Sequence, residues 1–336
     1  MARSPTRPPP PPPVGTWGVG RLGLIFALLN RFGPPRWSLY MRKHWAGKRL
    51  VIALPNLWLL MFFAVPFIIV LKLSFSEVRL AMPPYAPLIE KVGDIAYALN
   101  INLGNYAFLL SDSLYFSSYL YSLKVAAIST VLCLLVGYPM SYAIARSPPT
   151  LRNIWLMLVI LPFWTSFLLR VYAWVGLLKT DGLINQALGL FGLGPYVMMY
   201  TDFAVYIGIV YSYLPFMILP LYSNLEKHDL TLLEAAADLG AGPIRSFLRI
   251  TLPLSAPGII AGALLVFIPA VGEYVIPSLL GRSDQLMIGR VLSDEFFANR
   301  DWPVASAVSI VMLVMLVGPI MLFQRYQNRE LAGARK

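Results

Sequence analysis

Between residues 231 and 253 the chain reads TLLEAAADLGAGPIRSFLRITLP, a compact stretch with charges of both signs between two long apolar runs. Its residue types suit mechanical rather than covalent chemistry. Thr231 and Glu234 stand at capping-box spacing, with Thr231 accepting from the Glu234 amide and Glu234 reaching back. Ala235, Ala236 and Ala237 combine high helix propensity with little bulk. Gly240 stands where a helix ends on a positive φ, and Pro243 suits the first turn of a second helix. Leu232, Leu233, Ala236 and Leu239 share one face by i, i+3, i+4 spacing, while Ala235 and Asp238 point elsewhere. Two short helices joined by a glycine corner fit the stretch, and Pro253 opens the return to the apolar run. Two uses fit it: an amphipathic loop on a membrane surface, or a small-residue face that docks on a partner.

The other candidate chemistry is an acid within an apolar run, Glu273 in AVGEYVIP. A buried acid of this kind is either a station for cations or half of an ion pair. At ~1.5 Å per residue, Arg170 counted from Asn153 and Glu273 counted from Ala256 both lie roughly 25 Å along their runs. Both readings of Glu273 therefore stand, a cation path and a pair with Arg170. Trp164, Tyr172, Trp174 and Tyr274 offer π faces for a cation, and the same residue types also gather at membrane interfaces regardless of function. Asp294, Glu295, Asp301 and Trp302 form an acidic loop that suits a partner, a cation or solvent.

Other chemistries are excluded by type or context. Gly18, Gly20 and Gly23 fit GxGxxG, but a proline run precedes them and no strand does, so no dinucleotide site is expected. No GxxxxGK[ST] phosphate loop occurs. Cys133 stands alone in an apolar run, and His44 and His228 lack ligand company, so neither a disulfide framework nor a metal site is expected. No apolar run carries two acids or a His, which argues against an intramembrane enzyme. A passive channel would not need the polar segment 231–253.

The elements that must position these residues are membrane helices. Hydrophobic residues make up 58% and charged residues 13% of the 336, and mean hydropathy is +0.67. Six stretches lack Asp, Glu, Lys and Arg for about the length that crosses a bilayer: 50–71, 125–145, 153–169, 203–225, 250–272 and 302–324. Each must satisfy its own backbone as a helix, so an all-α polytopic protein with six transmembrane helices is expected. Residues 1–49 form a basic, Pro-rich tail with a short interfacial helix about 22–29, and 326–336 form a second basic tail. The basic leader is read as a positive-inside signal rather than a nucleic-acid site, which places both termini in the cytoplasm with an even number of spans.

Glu234-Ala235-Ala236, Gly240, and Ile250-x-Leu252-Pro253 also match, at every spacing, the EAA motif of binding-protein-dependent ABC importer permeases. ILPFWTSFLLRVYAWVGLL (160–178), YIGIVYSYLPFMILPLY (206–222), LVFIPAVGEYVIPSLLG (265–281) and MIGRVLSDEFFANRDWPVASA (287–307) resemble the permeases of polyamine importers, closest to the putrescine type. The resemblance covers about 50–325. It implies a type I ABC importer transmembrane domain in a bacterial inner membrane, forming half of a pathway for putrescine or spermidine. It further implies a sister permease as heterodimer partner, two copies of an ATP-binding subunit that hold ATP and Mg, and a periplasmic or extracellular substrate-binding protein. On this reading Glu234, Ala235, Ala236, Gly240, Ile250, Leu252 and Pro253 couple to the ATPase. Glu273, Trp164, Tyr172, Trp174 and Tyr274 line the substrate path, the chain meets membrane lipids and no nucleic acid, and it is itself no enzyme and binds no cofactor.

Overall fold

The computed structural model describes residues 46–91 and 97–333; the Pro-rich tract, the expected interfacial helix and the last three residues lie outside them. The chain divides into two compact units, Met1–Phe67 and Ile68–Lys336. Helix α1 (Ala46–Leu59) runs through a π turn (Leu60–Ala64) into α2 (Val65–Ser74). Pro66 has no N–H for the Phe62 carbonyl, and the turn before it loosens so that Val65 N donates to Leu60 O. Leu54, Leu57, Trp58 and Phe63 are exposed along it, as suits a helix facing lipid.

The second unit continues with a small antiparallel ribbon, β1 (Ile89–Lys91) and β2 (Tyr97–Leu99), in the register Ile89↔Leu99. This ribbon is a minor addition to the expected all-α architecture. Helix α3 (Gly104–Ser111) leads into the long α4 (Ser113–Arg146), capped by Asp112, whose side chain accepts from Leu114 N. Then follow α5 (Pro149–Ile160), α6 (Phe167–Leu178), α7 (Leu183–Gly189) and α8 (Asp202–Leu225). The EAA segment holds α9 (Thr231–Asp238), α10 (Pro243–Ser246) and α11 (Leu252–Leu254). Helices α12 (Ala256–Val271), α13 (Val275–Leu280), α14 (Ile288–Ser293) and α15 (Trp302–Gly333) complete the chain.

The core is the three-helix contact of α4, α8 and α12. Lipid offers helices no hydrophobic drive to associate, so close approach over small residues must supply the packing. Met217 of α8 is fully buried between Gly137 of α4 and Gly262 of α12. A Cβ at Gly262 would lie 2.8 Å from Met217 Sδ and 3.1 Å from its carbonyl oxygen; one at Gly137 would lie 3.0 Å from Met217 Cγ. Short hydrogen bonds add to this: Ser141 Oγ donates to Gly137 O and reaches Ile218 O of α8, and Tyr119 OH of α4 donates to Val308 O of α15 at 2.6 Å.

Among the described residues four helices are long and apolar enough to cross a membrane, and six crossings result when each of two bent pairs counts as one. The expected spans 153–169 and 250–272, whose prolines suggest kinks, are each a bent pair of helices. The first bends by 90° between a 3₁₀ turn (Leu161–Trp164) and α6. Pro162 removes a helical N–H, Thr165 is extended, and its hydroxyl donates to Pro162 O. The second bends by 63° at Ser255, so Ile250–Leu254 belongs to the approach and the straight part begins at Ala256. By contrast 203–225 falls within α8, and 125–145 is the inner part of the much longer α4.

Because Met217 fills the space on both sides, Gly262→Val is expected to cost ~1–3 kcal/mol by overpacking. Thermal unfolding in detergent should show the loss, and Met217→Ala in the same chain should recover part of it.

Candidate functional site: the EAA segment and the break at Glu273

The two-helix reading of 231–253 holds, with a different start. Leu230 is already helical, so Thr231 lies inside the first turn and no capping box forms. Asp229 Oδ1 instead accepts from Thr231 N at 3.0 Å, and Glu234 N donates to Leu230 O. The corner is a full Schellman motif: Gly240 N donates to Ala237 O and Ala241 N to Ala236 O, both at 2.9 Å. Gly240 has φ +75°, and an added Cβ would meet nothing within 4 Å, so its requirement is one of backbone conformation alone.

The expected single face of α9 is split. Leu233 is half-buried and Ala236 buried, but Leu232 is exposed and Leu239 is 88% exposed, because the helix ends there. Glu234 and Ala235 are exposed as well. Past the corner, Pro243 occupies the first turn as expected, and Ile244 and Leu248 are exposed beside Arg245 and Arg249. Ile250 and Leu252 are half-buried and Pro253 exposed. The seven motif residues thus lie in one continuous segment, with an outward face of small and apolar side chains edged by charge.

This segment is held to the helices behind it. Phe247 stands edge-on to Tyr138 and Tyr142, with centroids 5.6 and 6.3 Å away. Arg152 Nη1 binds Glu226 Oε1 at 2.6 Å and its Nη2 donates to Ala145 O, joining the start of α5 to the ends of α8 and α4. Hydrogen bonds from Tyr222 and then Arg152 hold the Glu226 carboxyl below its ordinary range. His228 faces Asn224 Oδ1 at 3.2 Å, and burial lowers the imidazole's affinity for a proton.

Glu273 lies 7% exposed at the break between α12 and α13, not inside a continuous helix. Its Oε1 accepts from the amides of Tyr274 (3.1 Å), Val275 (3.0 Å) and Ile276 (3.4 Å), and its Oε2 accepts a short hydrogen bond from Tyr213 OH. The carboxylate is thus spent on freed backbone donors and one tyrosine. Arg170 makes no ion pair with it within 4 Å. It sits past the 90° corner, where the rise-per-residue estimate of its height no longer applies, with its guanidinium 5.1 Å from the Phe163 ring centroid and 5.6 Å from that of Phe167. Phe163 packs on Phe216, and Phe216 on Tyr213, so a chain of aromatic contacts runs from Arg170 to the tyrosine that binds Glu273.

Of the proposed path aromatics, Tyr274 follows Glu273 in the chain, Trp164, Tyr172 and Tyr274 are exposed, and Trp174 packs edge-on to Tyr211. Tyr213 is the partner that sequence reasoning missed; nothing in its spacing marks it. In the acidic loop Glu295 accepts from Tyr115 OH and Asn299, and Asp301 caps α15 by accepting from Val304 N at 2.9 Å. Burial raises the Asp301 carboxyl above its usual range. Trp302 stacks on Phe296.

Two outcomes follow. Gly240→Val is expected to cost ~1 kcal/mol or more through the left-handed φ, and Gly240→Asn less, which thermal unfolding would resolve. Exchanging the charges, Glu273→Arg with Arg170→Glu, is not expected to restore uptake lost in either single variant, because the two groups do not meet.

Residues 134–332 match the family model described as binding-protein-dependent transport system inner membrane component. The chain is 40% identical over 290 residues to the spermidine/putrescine transport system permease protein PotB of Haemophilus influenzae, covering 86% of this chain and 96% of that protein. It is 44% identical over 225 residues to the protein of the same name from Escherichia coli K12, covering 66% and 82%. A bacterial alginate ABC transporter, solved in complex with an alginate pentasaccharide-bound periplasmic protein, shares the fold: TM-score 0.59, 17% identity, covering 91% of this chain and 97% of that one. The helices, the EAA segment and these matches together establish that the chain belongs to the binding-protein-dependent transport system inner membrane components, as a multi-pass permease.

Proposed function

We propose that this chain forms one half of the translocation pathway of an ATP-driven importer for a polyamine such as putrescine or spermidine. The observation that carries the reading is the 40% identity spread over nearly the whole length of a spermidine/putrescine permease. Energy enters through the EAA segment: its exposed Ala235, Leu239, Ile244 and Leu248 suit a groove on an ATP-binding subunit, and shape at Ala235 and Gly240, with buried Ala236 setting how closely the helix seats behind them, carries more of the coupling than the charge of Glu234. Two copies of that subunit hold ATP and Mg, a sister permease completes the pore, and a periplasmic or extracellular protein delivers the substrate. The EAA segment and both termini face the cytoplasm, in keeping with the basic leader. This chain contributes no covalent chemistry.

Within the pathway, Glu273 serves the fold first. Glu273→Gln keeps an acceptor for the three amides and removes the charge, with its NH2 group now donating to Tyr213 OH, so the two roles come apart. In proteoliposomes containing the whole complex, putrescine or spermidine presented by the binding protein is expected to stimulate ATP hydrolysis and be accumulated. Glu273→Gln should leave the complex assembled, and a fall in polyamine uptake of tenfold or more would assign the charge to the cation path. Stimulation by an unrelated solute and none by either polyamine would refute the substrate assignment.

A further inference from the structure

Ser255 is fully buried at the bend between α11 and α12. Its hydroxyl carries one proton, and that proton goes to the Leu252 carbonyl at 2.9 Å. The 2.8 Å contact between Ser255 Oγ and Tyr138 OH therefore has one direction: Tyr138 donates and Ser255 accepts. The resulting relay runs from α4, through Ser255, to a backbone carbonyl of the EAA segment. Tyr138 is itself buried, so water does not compete for the bond.

Both ends of the relay sit where a helix is least able to hold itself rigid. Tyr138 precedes Pro139, inside α4, and follows Gly137, which lies against Met217. Ser255 lies between Pro253 and Pro257, each of which removes a helical N–H, and the preceding Phe247–Thr251 turn has π geometry. The same tyrosine ring takes the edge of Phe247, with the ring planes 89° apart. One side chain thus clamps the EAA segment twice, by a hydrogen bond at the bend and by a ring contact four residues past Pro243.

We propose that Tyr138 is a positioning residue that transmits movement of the EAA segment to α4 through its hydrogen bond to Ser255. The proposal rests on the importer reading above. A displaced EAA segment turns at the Ser255 bend, and the bond obliges α4 to follow at its own weak point beside Pro139. Without the bond the segment still docks, but its motion dissipates at the bend.

Tyr138→Phe keeps the ring against Phe247 and removes only the donor; Ser255→Ala removes the acceptor. In proteoliposomes of the whole complex with its binding protein and spermidine, each variant is expected to retain assembly and ATP hydrolysis while spermidine transported per ATP falls three- to tenfold. The double variant should fall no further than either single one, since both delete the same bond. Wild-type transport per ATP in both single variants would overturn the proposal, as would additive losses in the double variant. Loss of assembly in both would also overturn it, since the bond would then be structural. Failure of spermidine to stimulate the wild-type complex would instead count against the substrate assignment, and the same ratio would then be read with the solute that does stimulate it.

Discussion

A backbone group released where a helix breaks inside a bilayer has no water to turn to. Much of this structure can be read as the answer to that constraint. The breaks arise because the chain places Pro and Gly within its apolar runs, and at several of them a neighbouring group takes over orphaned donors or acceptors. Glu273 accepts from three amides at the start of α13. Thr165 and Ser255 donate to carbonyls beside their bends, and the Gly240 corner returns two amides to the carbonyls of α9. These side chains look functional by type, and their first task is to make the bends possible.

That priority reshapes the reading of the buried acid. A carboxylate surrounded by three N–H groups and a tyrosine hydroxyl is satisfied without a cation, and with no partner arginine. Arg170 meanwhile lies against the rings of Phe163 and Phe167. Each charge is thus tied to a different element, α6 for the guanidinium and the α12–α13 break for the carboxylate.

The glycines divide between two physical tasks. Gly240 is required for its φ, with open space where a Cβ would stand, and so it shapes a surface that faces outward. Gly137 and Gly262 have ordinary backbones and are required for lack of bulk, since Met217 occupies the space of both absent side chains. The first task concerns what the molecule presents to a partner, the second how its three central helices stay together behind that surface.

The sequence by itself determined the class of the protein, the approximate places of the spans and the whole EAA segment. Hydropathy over about 20 residues, alanine propensity and a glycine at a helix end are local properties, and locality makes them legible. Even so, it misplaced the cap, because Thr231 and Asp229 are both competent and only the path of the entering chain selects between them. Only the tertiary structure decided where and how far two spans bend, that Glu273 sits at a break, that Arg170 does not pair with it, and that Tyr213 does. These depend on the direction a chain takes after a proline, and a count of 1.5 Å per residue loses its meaning at the first 90° turn. Contacts such as Tyr138 with Ser255, 117 residues apart, leave no periodic trace at all, since a single hydrogen bond between distant helices asks only for one donor and one acceptor at the point where they cross.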